Sequence, residues 1–111
     1  MINILYEDNH LLVVEKPINC LVQEDNTKDT DLLTLLKQYL KEKYGKSGNV
    51  YLGLVHRLDR MVGGVMVFAK TSKAAARLSE QIRKKEFQKT YYAVVEGILK
   101  QNGTLVDYLE K

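Results

Sequence analysis

The residues with the most chemistry between them lie at 55–70, VHRLDRMVGGVMVFAK, where a single carboxylate, Asp59, sits between Arg57 and Arg60 and is followed by paired glycines and an apolar run. A carboxylate beside cations is held in its ionised form, and an ionised, positioned carboxylate can attack an electrophilic carbon. The competing reading is a solvated turn in which Arg57, Asp59 and Arg60 face water and the glycines supply tight backbone geometry, since charge clusters are usually solvated faces. A phosphate-binding loop is excluded, because Val62-Gly63-Gly64 lacks the Gly-x-x-x-x-Gly-Lys spacing and leads into a strand instead of a helix. A zinc site is excluded too: Cys20, His10 and His56 are too few and too scattered to supply a ligand set.

The elements that must position Asp59 can be read from periodicity. Residues 2–6 and 11–14 are short apolar runs broken by Glu7-Asp8-Asn9, which predicts two strands or one interrupted hairpin. Lys16-Pro17 ends the second, because proline offers no ladder donor. A polar loop at 23–29 precedes a helix capped by Asp29 or Thr30, in which Leu32, Leu33, Leu35, Leu36, Tyr39, Leu40 and Tyr44 recur at three- and four-residue spacing up to a stop at Gly45. One face of this helix packs on a sheet. After a loop at 45–49, residues 64–69 form a strand apolar enough to be buried on both faces. Ser72 caps a second helix with Ala75, Leu78, Ser79 and Ile82 on one side, while Arg77, Arg83, Lys84 and Lys85 lie elsewhere as ordinary solvated surface that would also suit phosphates. Residues 91–95 read as a strand, and Gln101-Asn102-Gly103 as a turn into another at 104–109.

At 111 residues and 45% hydrophobic there is material for one modest core, and alternating strands and helices with hairpins give a mixed α+β domain whose sheet is mainly antiparallel with helices packed on it. The last strand would be an unpaired edge, so further chain or a partner chain is expected to complete the domain. A formal charge of +3 and a pI near 8.9 permit an anionic partner without requiring one. One cysteine fits a reducing cytoplasm, and no apolar run approaches the roughly 18 residues of a membrane span.

The 55–70 stretch resembles the signature of the RluA-type RNA pseudouridine synthases: His-Arg-Leu-Asp, two variable residues, Thr-Ser-Gly, then an apolar strand ending in Ala-Lys. His56, Arg57, Leu58 and Asp59 match the tetrapeptide, Gly64 the final glycine, and Ala69-Lys70 the end. The opening ILYEDNHLLVVEKP, with Lys16-Pro17, and the later QKTYYAVVEG, with its Lys-x-Tyr, are similar to flanking family segments, so the resemblance runs in order along nearly the whole chain.

The resemblance implies a cofactor-free isomerisation of uridine in ribosomal or transfer RNA, in which the base is detached, rotated and rejoined through C5. It implies Asp59 as the catalytic aspartate, acting on the ribose C1′, on the uracil C6 or in glycal formation. Arg57 takes the place vacated by a flipped-out base, and a planar cation suits that task better than lysine would. His56, Arg60 and Lys89 join it as RNA-contacting residues, with His56 in a hydrogen-bonded positioning role. Tyr91 and Tyr92 point to opposite faces of a strand, and the match through Lys89 selects Tyr91 as the residue against the uracil ring. Two departures stand out. Val62-Gly63-Gly64 lacks the two hydroxyls of Thr-Ser-Gly, and no stretch resembles the later family segment that carries a basic partner for the aspartate. The chain is therefore expected to be the N-terminal part, residues 1–111, of a catalytic domain and to be inactive alone. The alternative is a non-catalytic RNA-binding or assembly fragment of the same fold.

Overall fold

A computed structural model describes residues 2–98, 101–106 and 108. Asn3–Glu7 (β1) and Leu11–Lys16 (β2) form the expected hairpin, paired antiparallel from Asn3 opposite Glu15 to Glu7 opposite Leu12, with a bulge between Ile4 and Tyr6. Asp8 shapes its turn by accepting from the amides of His10 and Leu11 at 2.8 and 2.7 Å, the local side-chain bonding that suits aspartate to turns. A helix follows at Leu32–Lys43 (α1). Gly53–Leu54 (β3), Gly64–Ala69 (β4) and a second helix at Ser72–Arg83 (α2) complete the regular structure. The strands form one antiparallel sheet of order β1-β2-β4-β3, with β4 inside it.

Strand alternation decides what each face carries. Leu12 and Val14 from β2 and Met66 and Phe68 from β4 are wholly buried on one face, where Leu32, Leu36 and Leu40 of α1 close over them together with Val22 and Leu52. On the other face α2 packs against β3 and β4. There Val67, Ala69 and Ala74 are buried, and a side chain added at Gly53 would meet Ala75 at 3.1 Å. The small residues of α2 thus allow the close approach.

The helix caps fall one or two residues from their expected places. Asp31, not Asp29 or Thr30, caps α1, its buried carboxylate accepting from Thr34 N at 3.0 Å. Thr71, not Ser72, caps α2 through its hydroxyl, accepting from Ala74 N at 3.1 Å. In both cases the better-placed acceptor is the one three residues before an unpaired amide of the first turn. Gly45 ends α1 as expected, at φ +60° with Lys46 N bonded to Lys41 O, the left-handed stop that glycine takes without strain. Glu7 ties β1 to both ends of the core. It accepts from Lys70 Nζ and Tyr44 OH at 2.6 Å, Tyr39 OH at 2.7 Å and Lys43 Nζ at 2.9 Å. Burial pushes its carboxyl up, but these four donors together hold it far below the usual carboxylate range.

The strand expected at 91–95 is absent. After α2 the chain runs irregularly, with Tyr92 and Val94 fully exposed. The run of tyrosines and valines is of strand-forming type, but a strand exists only against a partner that takes its N–H and C=O groups, and none lies beside it among the described residues. Residues 104–106 and 108 likewise form no strand. Residues 107 and 109, also in that expected strand, lie outside the described residues.

Candidate active site

Asp59 lies in the loop between β3 and β4, in a turn closed by Val62 N donating to Asp59 O at 3.0 Å. Its position follows from how that loop is fastened. β2 sends Leu12, Val14 and Lys16 to the core face in two-residue steps, and all three are fully buried. Lys16 ends the strand there, and its Nζ donates to Pro17 O at 2.9 Å and to Arg60 O at 3.0 Å. Cys20 N donates to the same Arg60 carbonyl at 3.2 Å. The residue after Asp59 is therefore bound through its backbone to the end of β2. Burial pulls the Lys16 ammonium down from its ordinary value, while Cys20 and Asp59 act the other way, so Asp59 is near enough for its charge to be felt at Lys16.

Lys16 is the site residue that sequence reasoning missed. The signal was available, since it sits two residues beyond Val14 in the core-facing series, but a lysine before a proline read only as the end of a strand. Lys16→Met keeps the linear stem and removes the ammonium, leaving the Pro17 carbonyl without its donor and the Arg60 carbonyl with the Cys20 amide alone. The expected loss is about 1–3 kcal/mol of unfolding free energy in urea. An unchanged midpoint would show that water replaces the ammonium without cost.

Gly63 packs against the same corner. A side chain there would lie 3.2 Å from both Lys16 O and Ile18 Cγ2, so the missing hydroxyl residue at this position goes with a close backbone approach. The arginines on either side of Asp59 behave differently from each other. Arg60 turns away, with Nε on Asn19 Oδ1 at 2.9 Å and Nη2 on Asp29 Oδ2 at 2.8 Å. Arg57 is exposed and, among the described residues, held only by a long 3.5 Å bond to Gln23 Oε1. Among the described residues the Asp59 carboxylate takes part in no ion pair and no side-chain hydrogen bond. Of the three residues expected to face water in a solvated turn, Arg57 and Asp59 do so, whereas Arg60 is half-buried and bonded to Asn19 and Asp29.

An open groove of about 590 Å³ adjoins the loop, lined by Leu58, Val62 and Gly63 on the loop side, with His56 and the 87–92 segment also on its wall. His56, Lys89, Tyr91 and Tyr92 share this groove, but Asp59 is not on its wall. His56 Nε2 accepts from Val67 N at 3.2 Å, and its ring lies 5.5 Å from that of Phe87. Burial, then the positive charge of Lys89, lower the imidazole from its ordinary value. Tyr91 is 60% exposed and Tyr92 entirely so. The two-faced strand that would separate them is not formed. Among the described residues no cluster of three or more His, Cys, Asp or Glu could hold a metal ion, and no helix is long and apolar enough to cross a membrane.

Residues 10–111 match the family model described as RNA pseudouridylate synthase. The chain is 39% identical over 108 residues to tRNA pseudouridine synthase C of Yersinia pestis, covering 97% of this chain and 40% of that protein. It is 37% identical over 103 residues to ribosomal large subunit pseudouridine synthase D of Xanthomonas campestris pv. campestris, covering 93% of this chain and 30% of that protein. Among solved structures, the human RNA pseudouridylate synthase domain containing 4 superposes on 76% of this chain and 30% of its own, with a TM-score of 0.64 and 30% identity. The chain thus spans 40% or less of the length of each of these proteins.

Proposed function

The chain belongs to the RNA pseudouridylate synthase family, and we propose on that premise that residues 1–111 supply the nucleophile-bearing part of a catalytic domain that isomerises uridine in RNA to pseudouridine. The observation that carries the proposal is the Asp59 turn. Its backbone is fastened through Arg60 O to the buried Lys16, while its carboxylate is exposed and, among the described residues, unengaged. A purely structural aspartate in a turn would be expected to spend its oxygens on neighbouring amides, as Asp8 and Asp31 do.

In this reading Asp59 attacks the flipped-out nucleotide or assists its cleavage, and the base rotates and rejoins through C5 without net oxidation or reduction, so the reaction requires no cofactor. Flipping costs a few kcal/mol of lost stacking. Arg57, exposed and weakly held, is free to enter the space the base leaves. Lys89 and Arg60 meet the RNA backbone, with Arg60 also bracing the loop through Asn19 and Asp29. In this reading the RNA is ribosomal or transfer RNA, as in the names of the relatives, and the setting proposed is the cytoplasm. Incubating a longer polypeptide that carries residues 1–111 with each RNA class and counting pseudouridine tests the assignment. Tight RNA binding without any pseudouridine in either class would favour the non-catalytic fragment reading.

Tyr91 is the residue proposed to lie against the uracil ring. Tyr91→Phe keeps the aromatic face and loses only the hydroxyl, so RNA affinity should stay within about threefold while turnover falls by about a hundredfold, the lower end for losing a proton-transfer group. Tyr92→Phe should change turnover by less than about threefold, being a surface change with no contact to lose. The opposite ranking would mean that Tyr92 takes the role.

A further inference from the structure

The pairing of β3 with β4 stops sooner than its register requires. Gly53 lies opposite Ala69 and Leu54 opposite Phe68, so one more step would set Val55 opposite Val67, with the Val55 carbonyl taking the Val67 N–H. That N–H goes instead to His56 Nε2 at 3.2 Å. The imidazole stands between the strands where a backbone carbonyl would be, and the chain leaves the sheet at this point to form the loop that carries Asp59 three residues later.

An Nε2 that accepts a hydrogen bond on a neutral ring leaves the ring proton on Nδ1. Nδ1 is buried and has no partner among the described residues. A second proton could enter only at Nε2, where it would face the Val67 N–H donor to donor and break the bond. We infer that neutral His56 is a positioning residue, fixing the Asp59 turn by taking the Val67 N–H in place of a strand carbonyl, and that protonating its ring releases the turn. The inference rests on the reading of Asp59 as nucleophile.

The surroundings favour the neutral ring. Lys89 from the segment after α2 brings a positive charge, and burial acts in the same direction. Tyr91 and Tyr92 are the other titratable groups on the groove wall from that segment. Among the described residues β2, β4 and α2 present no titratable group there, contributing Leu11, Gly64, Val65, Val67 and Leu78. Arg57 and Asp59 follow on the same loop. The folded protein therefore resists the proton that an unfolded chain accepts near pH 6.5. The bond's contribution is complete above that pH and is lost as pH falls through the lower folded value.

Glutamine and asparagine separate the possibilities, because glutamine Oε1 lies three bonds beyond Cβ, as Nε2 does, whereas asparagine Oδ1 lies only two. In an active polypeptide carrying residues 1–111, His56→Gln should keep kcat within about threefold near neutral pH, and His56→Asn should lower kcat by on the order of a hundredfold with KM little changed, the cost of a misplaced group. Wild type should show an acid limb in kcat that His56→Gln lacks. Nitrogen NMR should find the proton on Nδ1, and the Val67 amide should exchange slowly in wild type and His56→Gln but quickly in His56→Asn. The inference is overturned if His56→Gln is as impaired as His56→Asn, if its acid limb persists, or if the ring carries its proton on Nε2. Should Asp59→Asn prove fully active, the nucleophile reading fails on that result alone, while the NMR tautomer and the Val67 exchange still decide whether His56 fastens the loop.

Discussion

Replacing Asp59 by asparagine in an active polypeptide carrying residues 1–111 is expected to lower pseudouridine formation by at least on the order of 10³-fold, the scale on which removing a nucleophile acts, while leaving stability unchanged. The second half of that statement gives the test its force. The Asp59 side chain is exposed, and among the described residues it has no hydrogen bond or ion pair to lose. The closing bond of its turn runs from Val62 N to the Asp59 backbone oxygen, which asparagine keeps. Surface substitutions of this kind stay within about 0.5 kcal/mol. Asparagine has nearly the same shape and differs in having no ionisable oxygen with which to attack carbon. A structural aspartate would give the opposite pair of results, a lower unfolding midpoint with turnover in proportion to the folded fraction. Near-normal turnover in a stable Asp59→Asn variant would end the nucleophile assignment.

The 111-residue chain by itself is expected to give no multiple turnover with uridine-containing ribosomal or transfer RNA, while still binding RNA in the same assay. Three features of the site lead there. The Asp59 carboxylate has no cation within ion-pairing distance among the described residues. Arg60 is spent on Asn19 and Asp29, and Lys16 on two carbonyls. Each pKa unit by which a partner cation would favour the ionised carboxylate is worth about 1.4 kcal/mol. Tyr91 is on an irregular, exposed segment instead of a strand, and a displacement of about 1 Å can cost a hundredfold in rate. The groove is also open to water, which weakens the electrostatic contacts the reaction depends on. Binding needs none of this closure. Arg57, Lys85 and Lys89 are exposed cations, and Arg83 and Lys84 nearby share Glu80, so affinity for phosphates should persist and fall steeply with salt. The measurement is pseudouridine formed per chain over time. Several turnovers per chain would show that Arg57, Lys16 or a second copy of the chain supplies the missing charge.

How far the sequence could be read depended on the range of the interactions concerned. Local periodicity was sufficient for the β1–β2 hairpin, for α1 with its leucine face and Gly45 stop, and for β4, because side-chain alternation and helix caps are settled within a few residues of chain. The two-residue β3 carries too little pattern to be seen, and it exists because β4 offers it an edge. The motif around Asp59 was legible as residue types at a spacing.

What those types do was decided by partners distant in sequence. Arg60 stands next to Asp59 in the chain yet gives its guanidinium to Asn19 and Asp29, 41 and 31 residues away. Lys16, which reads as a strand end, becomes the buried cation that holds the Asp59 turn through a carbonyl 44 residues on. His56 takes an amide from β4 only because the register of β3 against β4 brings Val67 beside it. At 91–95 the same dependence runs the other way: the strand-forming residue types are present, but without a neighbouring strand among the described residues to satisfy its backbone the segment stays irregular. A sequence determines which way a side chain can point along its own element. Which hydrogen-bonding group it meets there is determined by the tertiary arrangement, since that group belongs to another part of the chain.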